Sequence, residues 1–329
     1  MDWSSHNIAD LVRRALEEDI GTGDATTAAT IPPRASARAH ILARQTLVCA
    51  GLPIAEKIFG ALDPEIRVTC PHNDGSFVDP GEEIVQIKGN ARAILTGERT
   101  TLNFLAHLCG IATLTRRFVE QLAGTRTRIR DTRKTTPGLR ALEKYAVKTG
   151  GGANHRFGLY DAILLKENHI ALAGGIKEAL DKAHTYASPK VPPPRTASAY
   201  DAAGLDPEVV GPGPLPVQIE VRDQKELLEA LRAGAEAVLL DNMTPERAAE
   251  CVRIARGIRA DCVIEISGGI TLDNARAYAE TGADFLSSGM LTHSARSGVI
   301  LSSSTASAPA QPTGGWQGCL RCWRKMPPS

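Results

Sequence analysis

A chain of 329 residues, 43% hydrophobic and 23% charged, can fill one large core or two medium ones. Its 38 basic and 37 acidic residues leave a formal charge of +1, which excludes a polyanion-coating surface and so argues against nucleic acid as a partner. No apolar run reaches membrane-span length, and seven scattered cysteines, an odd count without framework spacing, fit a reducing cytoplasm.

The opening stretch, MDWSSHNIADLVRRALEEDIG, carries early acids and lacks a signal-peptide core. It predicts an amphipathic helix with Ile8, Leu11, Val12 and Leu16 on one face. From Ser36 to about Gly89, short alternating runs (ARAHILARQ, IRVTC, EEIVQIKG) broken by Gly, Pro and Asp predict a small, mostly antiparallel β unit. Within it GSFVDPGEEIVQIKG is similar to turns of biotin- or lipoyl-carrying domains. It lacks the Met-Lys-Met tip and reads as an ordinary β turn. Leu95, Leu102, Leu105, Ala106 and Cys109 then keep helical spacing, which predicts a long helix or a helix pair.

After residue 125 short apolar runs alternate with helical segments such as QKELLEALRAGA and PERAAECVRIARGI, the pattern of parallel strands joined by crossover helices. Chemically useful residues sit at the C-terminal ends of nearly all these strands. RIRD leads to Arg133 and Lys134, AILLK ends at Lys166, and VQIEV contains Glu220. AVLLD ends at Asp241, VIEIS runs into Ser267, Gly268 and Gly269, and FLSS runs into Gly289. In a β/α barrel that end is where the loops converge to build a site. Two segments break the regularity. Residues 188–216 hold eight of the twenty prolines and read as a surface loop or disordered insertion. The Ser/Ala/Pro-rich chain from about 296 to 329 reads as a disordered tail, and its Cys319 and Cys322 as solvated thiols rather than a metal or redox pair.

The strand ends supply three kinds of chemistry. Arg133, Lys134, His155, Arg156 and Lys166 form a cationic group, with Arg99 on the preceding helix. Arg offers a planar fork to carboxylates and phosphates and Lys a point charge, so the group suits a small polyanion. Glu220 and Asp241 end successive strands. Two carboxylates beside a polyanion imply Mg²⁺ between them, because otherwise they would repel the ligand. Ser267, Gly268 and Gly269 before a helix start, with Gly289 and His293 one strand later, make a phosphate cradle of backbone N–H groups.

The stretches GTGDATT, GERTTLNFL, DTRKTTPGLR, EKYAVKTGGGANHR, ILLKENHI, LLDN, SGGITLDN and GMLTHSA closely resemble the quinolinate phosphoribosyltransferase family, over about residues 8–295 apart from the proline-rich insertion. The resemblance implies an N-terminal α/β sandwich plus an open α/β barrel with parallel strands. The helical segment 1–26 would pack on the barrel, the sandwich would cover 27–112 and the catalytic barrel 113–295. It implies transfer of phosphoribosyl from phosphoribosyl pyrophosphate to quinolinate with loss of CO₂, Mg²⁺ as the cofactor, and a homodimer in which Arg99 is donated across the interface. Arg133, His155, Arg156 and Lys166 would bind the quinolinate carboxylates. Lys134 would contact phosphoribosyl pyrophosphate, Glu220 and Asp241 its Mg²⁺ and ribose, and Ser267, Gly268, Gly269, Gly289 and His293 its 5′-phosphate or nearby loops.

Three departures bear on this. Gln218 stands where relatives often carry an acid, which weakens the expected metal site. The insertion lies just before the strand of Glu220. The chain after Ala295 lacks the family's closing strand segment. Competing readings are a Schiff-base aldolase acting through Lys166, a molybdenum-locus homologue of the same fold with another substrate, and a non-catalytic ligand-binding paralogue.

Overall fold

The computed structural model describes residues 1–187 and 215–306. The expectations for Cys319 and Cys322, and for all of the 188–216 insertion except Leu215 and Pro216, lie outside them. Helix α1 (His6–Ile20) buries Ile8, Val12 and Leu16, as its spacing predicts. That face rests on α3 (Pro53–Leu62) and α4 (Ala91–Gln121), and Trp3 meets the Tyr145 ring edge-on, centroids 5.2 Å apart. Asp24 caps α2 (Ala25–Thr30) by accepting from Thr27 N at 2.9 Å, and also accepts from Thr96 Oγ1 of α4. The residues 95–109 belong to one 31-residue helix, not a pair. Leu102, Leu105 and Cys109 of α4 are fully packed in the core.

The first sheet is antiparallel, in the order β12 (Ile300–Ala306), β1 (Ser36–Ala43), β5 (Glu83–Asn90), β3 (Arg67–Thr69), with β2 (Leu47–Val48) and β4 (Phe77–Val78) pairing beside it. Strand β12 corrects the expectation of a disordered tail from 296 and of a missing closing strand. Residues 300–306 run antiparallel to β1 from Ala43 to Ala37. The Ser/Thr-rich composition misled because an edge strand needs backbone ladder bonds and not an apolar face. The segment reaches the sheet by crossing α4, where Gly298 N donates to Ala106 O at 2.7 Å. A Cβ on Gly110 would lie 2.2 Å from Arg296 O, so only glycine permits this approach. Gly110→Ala is therefore expected to cost about 1–3 kcal/mol by overpacking. It should also speed amide exchange across 300–306; an unchanged denaturation midpoint would contradict the crossing.

The second sheet is wholly parallel, ordered β6 (Arg128–Arg130), β11 (Phe285–Ser287), β10 (Val263–Ser267), β9 (Ala237–Asp241), β8 (Val217–Val221), β7 (Ile163–Leu165). Strands β6 and β7 do not pair with each other, so the barrel is open. Its curvature shows in the side chains. Gln218 on β8 and Glu265 on β10 share a hydrogen bond at 3.0 Å with β9 between them. In a flat sheet their backbones would stand about 9.6 Å apart, two strand spacings. The expected mixed architecture, an antiparallel α/β unit and an open parallel α/β barrel, is what the chain forms. Among the described residues no helix is long and apolar enough to cross a membrane.

Candidate active site

The loop holding Arg133 and Lys134 and the loop holding His155 and Arg156 are built as one unit. Ala153 N donates to Ile129 O at 2.8 Å, which lays the second loop along the free edge of β6. The glycine triplet before it serves packing. A Cβ on Gly150 would meet Ala112 O at 2.5 Å, and one on Gly152 would meet Thr115 Cγ2 at 2.8 Å. A buried strut then fixes the corner: Lys144 Nζ lies 2.5 Å from Asp131 Oδ1 and donates to His155 O at 3.0 Å. His155 N donates to the same carboxylate oxygen at 2.8 Å. Arg140 of α5 (Arg140–Thr149) crosslinks both loops through Thr135 Oγ1 and Phe157 O.

Two guanidiniums emerge from this corner. Arg156 Nη1 donates to Ala162 O at 2.9 Å, and the Arg133 Nε is buried without a partner. Burial first, and the neighbouring Arg133 second, lower the pKa of Arg156, with Asp161 opposing, so two guanidiniums stand close together in a partly buried corner that an anion would relieve. An anion with two carboxylates answers that need. Burial likewise lowers the pKa of the His155 imidazole and keeps it neutral.

Across the mouth, Lys166 Nζ lies 3.7 Å from Glu220 Oε2. Burial raises the pKa of Glu220, with Lys166 opposing and Asp241 reinforcing the shift, so the three groups share one field. Asp241 accepts from Asn242 Nδ2 at 2.7 Å and stands level with Ser267 on the adjacent strand. Asn242 N donates to Ser267 O at 2.9 Å, with Asn242 at φ 53°. Gly268 follows at φ 98°, and a Cβ there would fall 2.1 Å from Asn242 Oδ1. Gly269, at φ 64°, continues the turn. Glycine is thus required at 268 on two counts. Gly268→Ala is expected to raise KM for the phosphorylated substrate about tenfold, since every cradle N–H shifts; steady-state kinetics against that substrate would show it, and no change would remove this loop from phosphate binding.

The last wall is Lys134 with the Gly289 loop. Thr292 Oγ1 donates to Lys134 O at 2.8 Å, and a Cβ on Gly289 would come within 2.9 Å of both Lys134 Cδ and His293 Nε2. The structure therefore brings Arg133 and Arg156 together with His155, joins Lys166, Glu220 and Asp241, and sets Lys134 against Gly289 and His293. Arg99 stays apart, exposed on α4 with no side-chain hydrogen bond or ion pair among the described residues. Gln218, two residues before Glu220 on the same face of β8, donates into the barrel to Glu265. Asp131, Lys144, Arg140 and Glu265 escaped the sequence reading. The one local signal was Glu265, an acid inside the otherwise apolar run VIEIS.

An open parallel barrel whose strand ends carry paired guanidiniums, two acids and a glycine cradle defines a phosphate-handling α/β-barrel enzyme. The chain matches the quinolinate phosphoribosyl transferase N-terminal domain over residues 24–109 and the C-terminal domain over 111–193 and 206–298. It is 40% identical over 287 residues to a probable nicotinate-nucleotide pyrophosphorylase (carboxylating) of Bacillus subtilis, covering 87% of this chain and 90% of that one. A Mycobacterium leprae nicotinate-nucleotide pyrophosphorylase (carboxylating) is also 40% identical, over 293 residues, covering 87% and 93%. Among solved structures, NadC from Streptococcus pyogenes superposes with a TM-score of 0.81 at 36% identity, covering 94% of this chain and all of that one. The chain belongs to the quinolinate phosphoribosyltransferase family.

Proposed function

We propose that the chain transfers the phosphoribosyl group of phosphoribosyl pyrophosphate to quinolinate and decarboxylates the adduct, giving nicotinate mononucleotide, pyrophosphate and CO₂ in cytoplasmic NAD biosynthesis. The observation that carries this is the division of charge across the mouth: the neighbouring guanidiniums of Arg133 and Arg156 on one side, Glu220 and Asp241 on the other. Arg133, His155, Arg156 and Lys166 gather the two carboxylates of the pyridine. Ser267, Gly268, Gly269, Gly289 and His293 hold the 5′-phosphate, and Lys134 draws off the pyrophosphate.

Among the described residues no group of three or more His, Cys, Asp or Glu side chains is placed to hold a metal. Glu220 and Asp241 as a pair suit Mg²⁺, which takes one or two carboxylates and completes its shell with water and substrate phosphates. When bound it neutralises charge on the departing pyrophosphate. As the C1′–O bond to pyrophosphate breaks, the two carboxylates stabilise the oxocarbenium-like ribose. The ring nitrogen forms the C1′–N bond and becomes a positively charged pyridinium. The electron pair of the adjacent C–CO₂⁻ bond stays on the ring carbon as CO₂ leaves, an ylide stabilised by the neighbouring positive nitrogen, and that carbon then takes a proton. The working unit is a homodimer in which the exposed Arg99 serves the partner's site.

Product formation from quinolinate, phosphoribosyl pyrophosphate and Mg²⁺, abolished by a chelator, tests the reading. Product from nicotinate but not from quinolinate would overturn it. Arg99→Ala and Lys134→Ala homodimers are each expected to be inactive, and mixing them should restore about a quarter of the activity, the statistical share of heterodimer sites left intact. No recovery between folded, exchanging variants would contradict the shared site.

A further inference from the structure

Beneath the mouth lies a buried polar layer that the proposed chemistry leaves unused. Arg130 ends β6, Gln218 sits two residues before Glu220 on β8, and Glu265 sits two residues before Ser267 on β10. The Glu265 side chain is fully buried. Its Oε2 accepts from Arg130 Nη1 at 3.1 Å and from Gln218 Nε2 at 3.0 Å, and faces His155 Nε2 at 3.5 Å. Its Oε1 is buried with no partner. The Arg130 guanidinium is stacked over Phe285, 3.5 Å from the ring centroid, so the clamp itself cannot swing away. A carboxylate held so deep is costly unless something requires it.

His155 supplies the requirement. Its Nδ1 lies 2.7 Å from Arg156 N, which donates to it, so Nδ1 carries the lone pair and the ring proton sits on Nε2, toward Glu265. The charged groups facing the ring are Glu265, Arg130, Lys144 and Arg156, with Asp131 on its backbone N–H. Among the described residues only Glu265 is placed to favour a proton on Nε2, because Asp131 is taken up by Lys144. Gln218 matters through its neutrality. It offers an N–H to Glu265 where an acid would set a second carboxylate against the first.

We propose that Glu265, clamped by Gln218 and Arg130, is a positioning residue that locks His155 in its Nε2-protonated orientation and, through the backbone of Arg156, aims that guanidinium at the substrate carboxylate. This rests on the assignment of Arg156 to the pyridine carboxylates.

The test uses the full-length chain and two variants, Glu265→Gln and Gln218→Met, the second leaving the acid in place should the first not fold. Imidazole ¹⁵N spectra, with the His155 signals assigned by their loss in His155→Gln, are expected to show a neutral ring protonated on Nε2 in the parent. Both variants should show mixed tautomers. In kinetics, Glu265→Gln should raise KM for quinolinate about tenfold, the scale of one lost charge-assisted contact, and leave KM for phosphoribosyl pyrophosphate within about twofold. Gln218→Met should act in the same direction with a smaller effect. A ring protonated on Nδ1 in the parent overturns the proposal. So does a folded variant with unchanged KM for quinolinate, or one in which both KM values rise together. Should the parent not turn over quinolinate at all, the functional reading fails, while the ¹⁵N spectra still decide whether Glu265 sets the ring.

Discussion

Lys144→Met is expected to destabilise the fold by about 3–5 kcal/mol, because it strands a buried carboxylate without its counter-ion. Lys144 is 2% exposed and Asp131 is fully buried, so no water replaces the lost partner. Burial pushes the Asp131 carboxyl up to about 6 even with Lys144 drawing it down. Without the lysine it rises further. A carboxyl whose folded value exceeds its unfolded value binds more protons folded than unfolded between the two, so stability falls as pH rises through that window. The variant should therefore recover part of its loss when pH is lowered from about 7 to about 5. Adding Asp131→Asn should recover most of the loss at neutral pH. Urea denaturation at two pH values checks both, and a loss below about 1 kcal/mol, the scale of a surface pair, would contradict the strut. The same substitution should impair substrate binding beyond its effect on stability, since Lys144 and Asp131 both hold the backbone of His155.

Glu220→Gln and Asp241→Asn should each lower kcat about 100- to 1000-fold, the range seen when one electrostatic stabiliser of a developing charge is removed. Both substitutions keep the shape of the side chain, and Asp241→Asn can still pair with Asn242. Melting temperatures are expected to change by only a few degrees, because Glu220 is partly exposed and its burial already disfavours the charge. Loss of less than about threefold in kcat would remove the carboxylates from the transition state.

The strand-end chemistry was legible because a βαβ alternation fixes where each strand stops, and a charge directly after an apolar run has nowhere to go but the mouth. Lys166 and Asp241 follow this rule directly, whereas Arg133 lies three residues past β6 and Gly268 one residue past β10. Glu265 and Gln218 were not paired, since they are 47 residues apart and meet only because the sheet curls past β9. The Asp131–Lys144 strut was hidden for a related reason. A lysine on a helix reads as solvated until the packing closes over it. Strand β12 was missed because its pairing with β1 joins segments remote in sequence, and nothing in ILSSSTA announces a partner more than 250 residues away. What the sequence conveys is which groups each strand delivers; what the fold adds is what stands behind them.

Quinolinate labelled separately at its two carboxyl carbons shows whether the pyridinium formed at this site drives loss of the neighbouring carboxylate. Turnover with phosphoribosyl pyrophosphate and Mg²⁺ is expected to release the label next to the ring nitrogen as CO₂, in equal amount to pyrophosphate, and to retain the other in the nucleotide. Release of the distal label, or pyrophosphate formed with both labels retained, would contradict it.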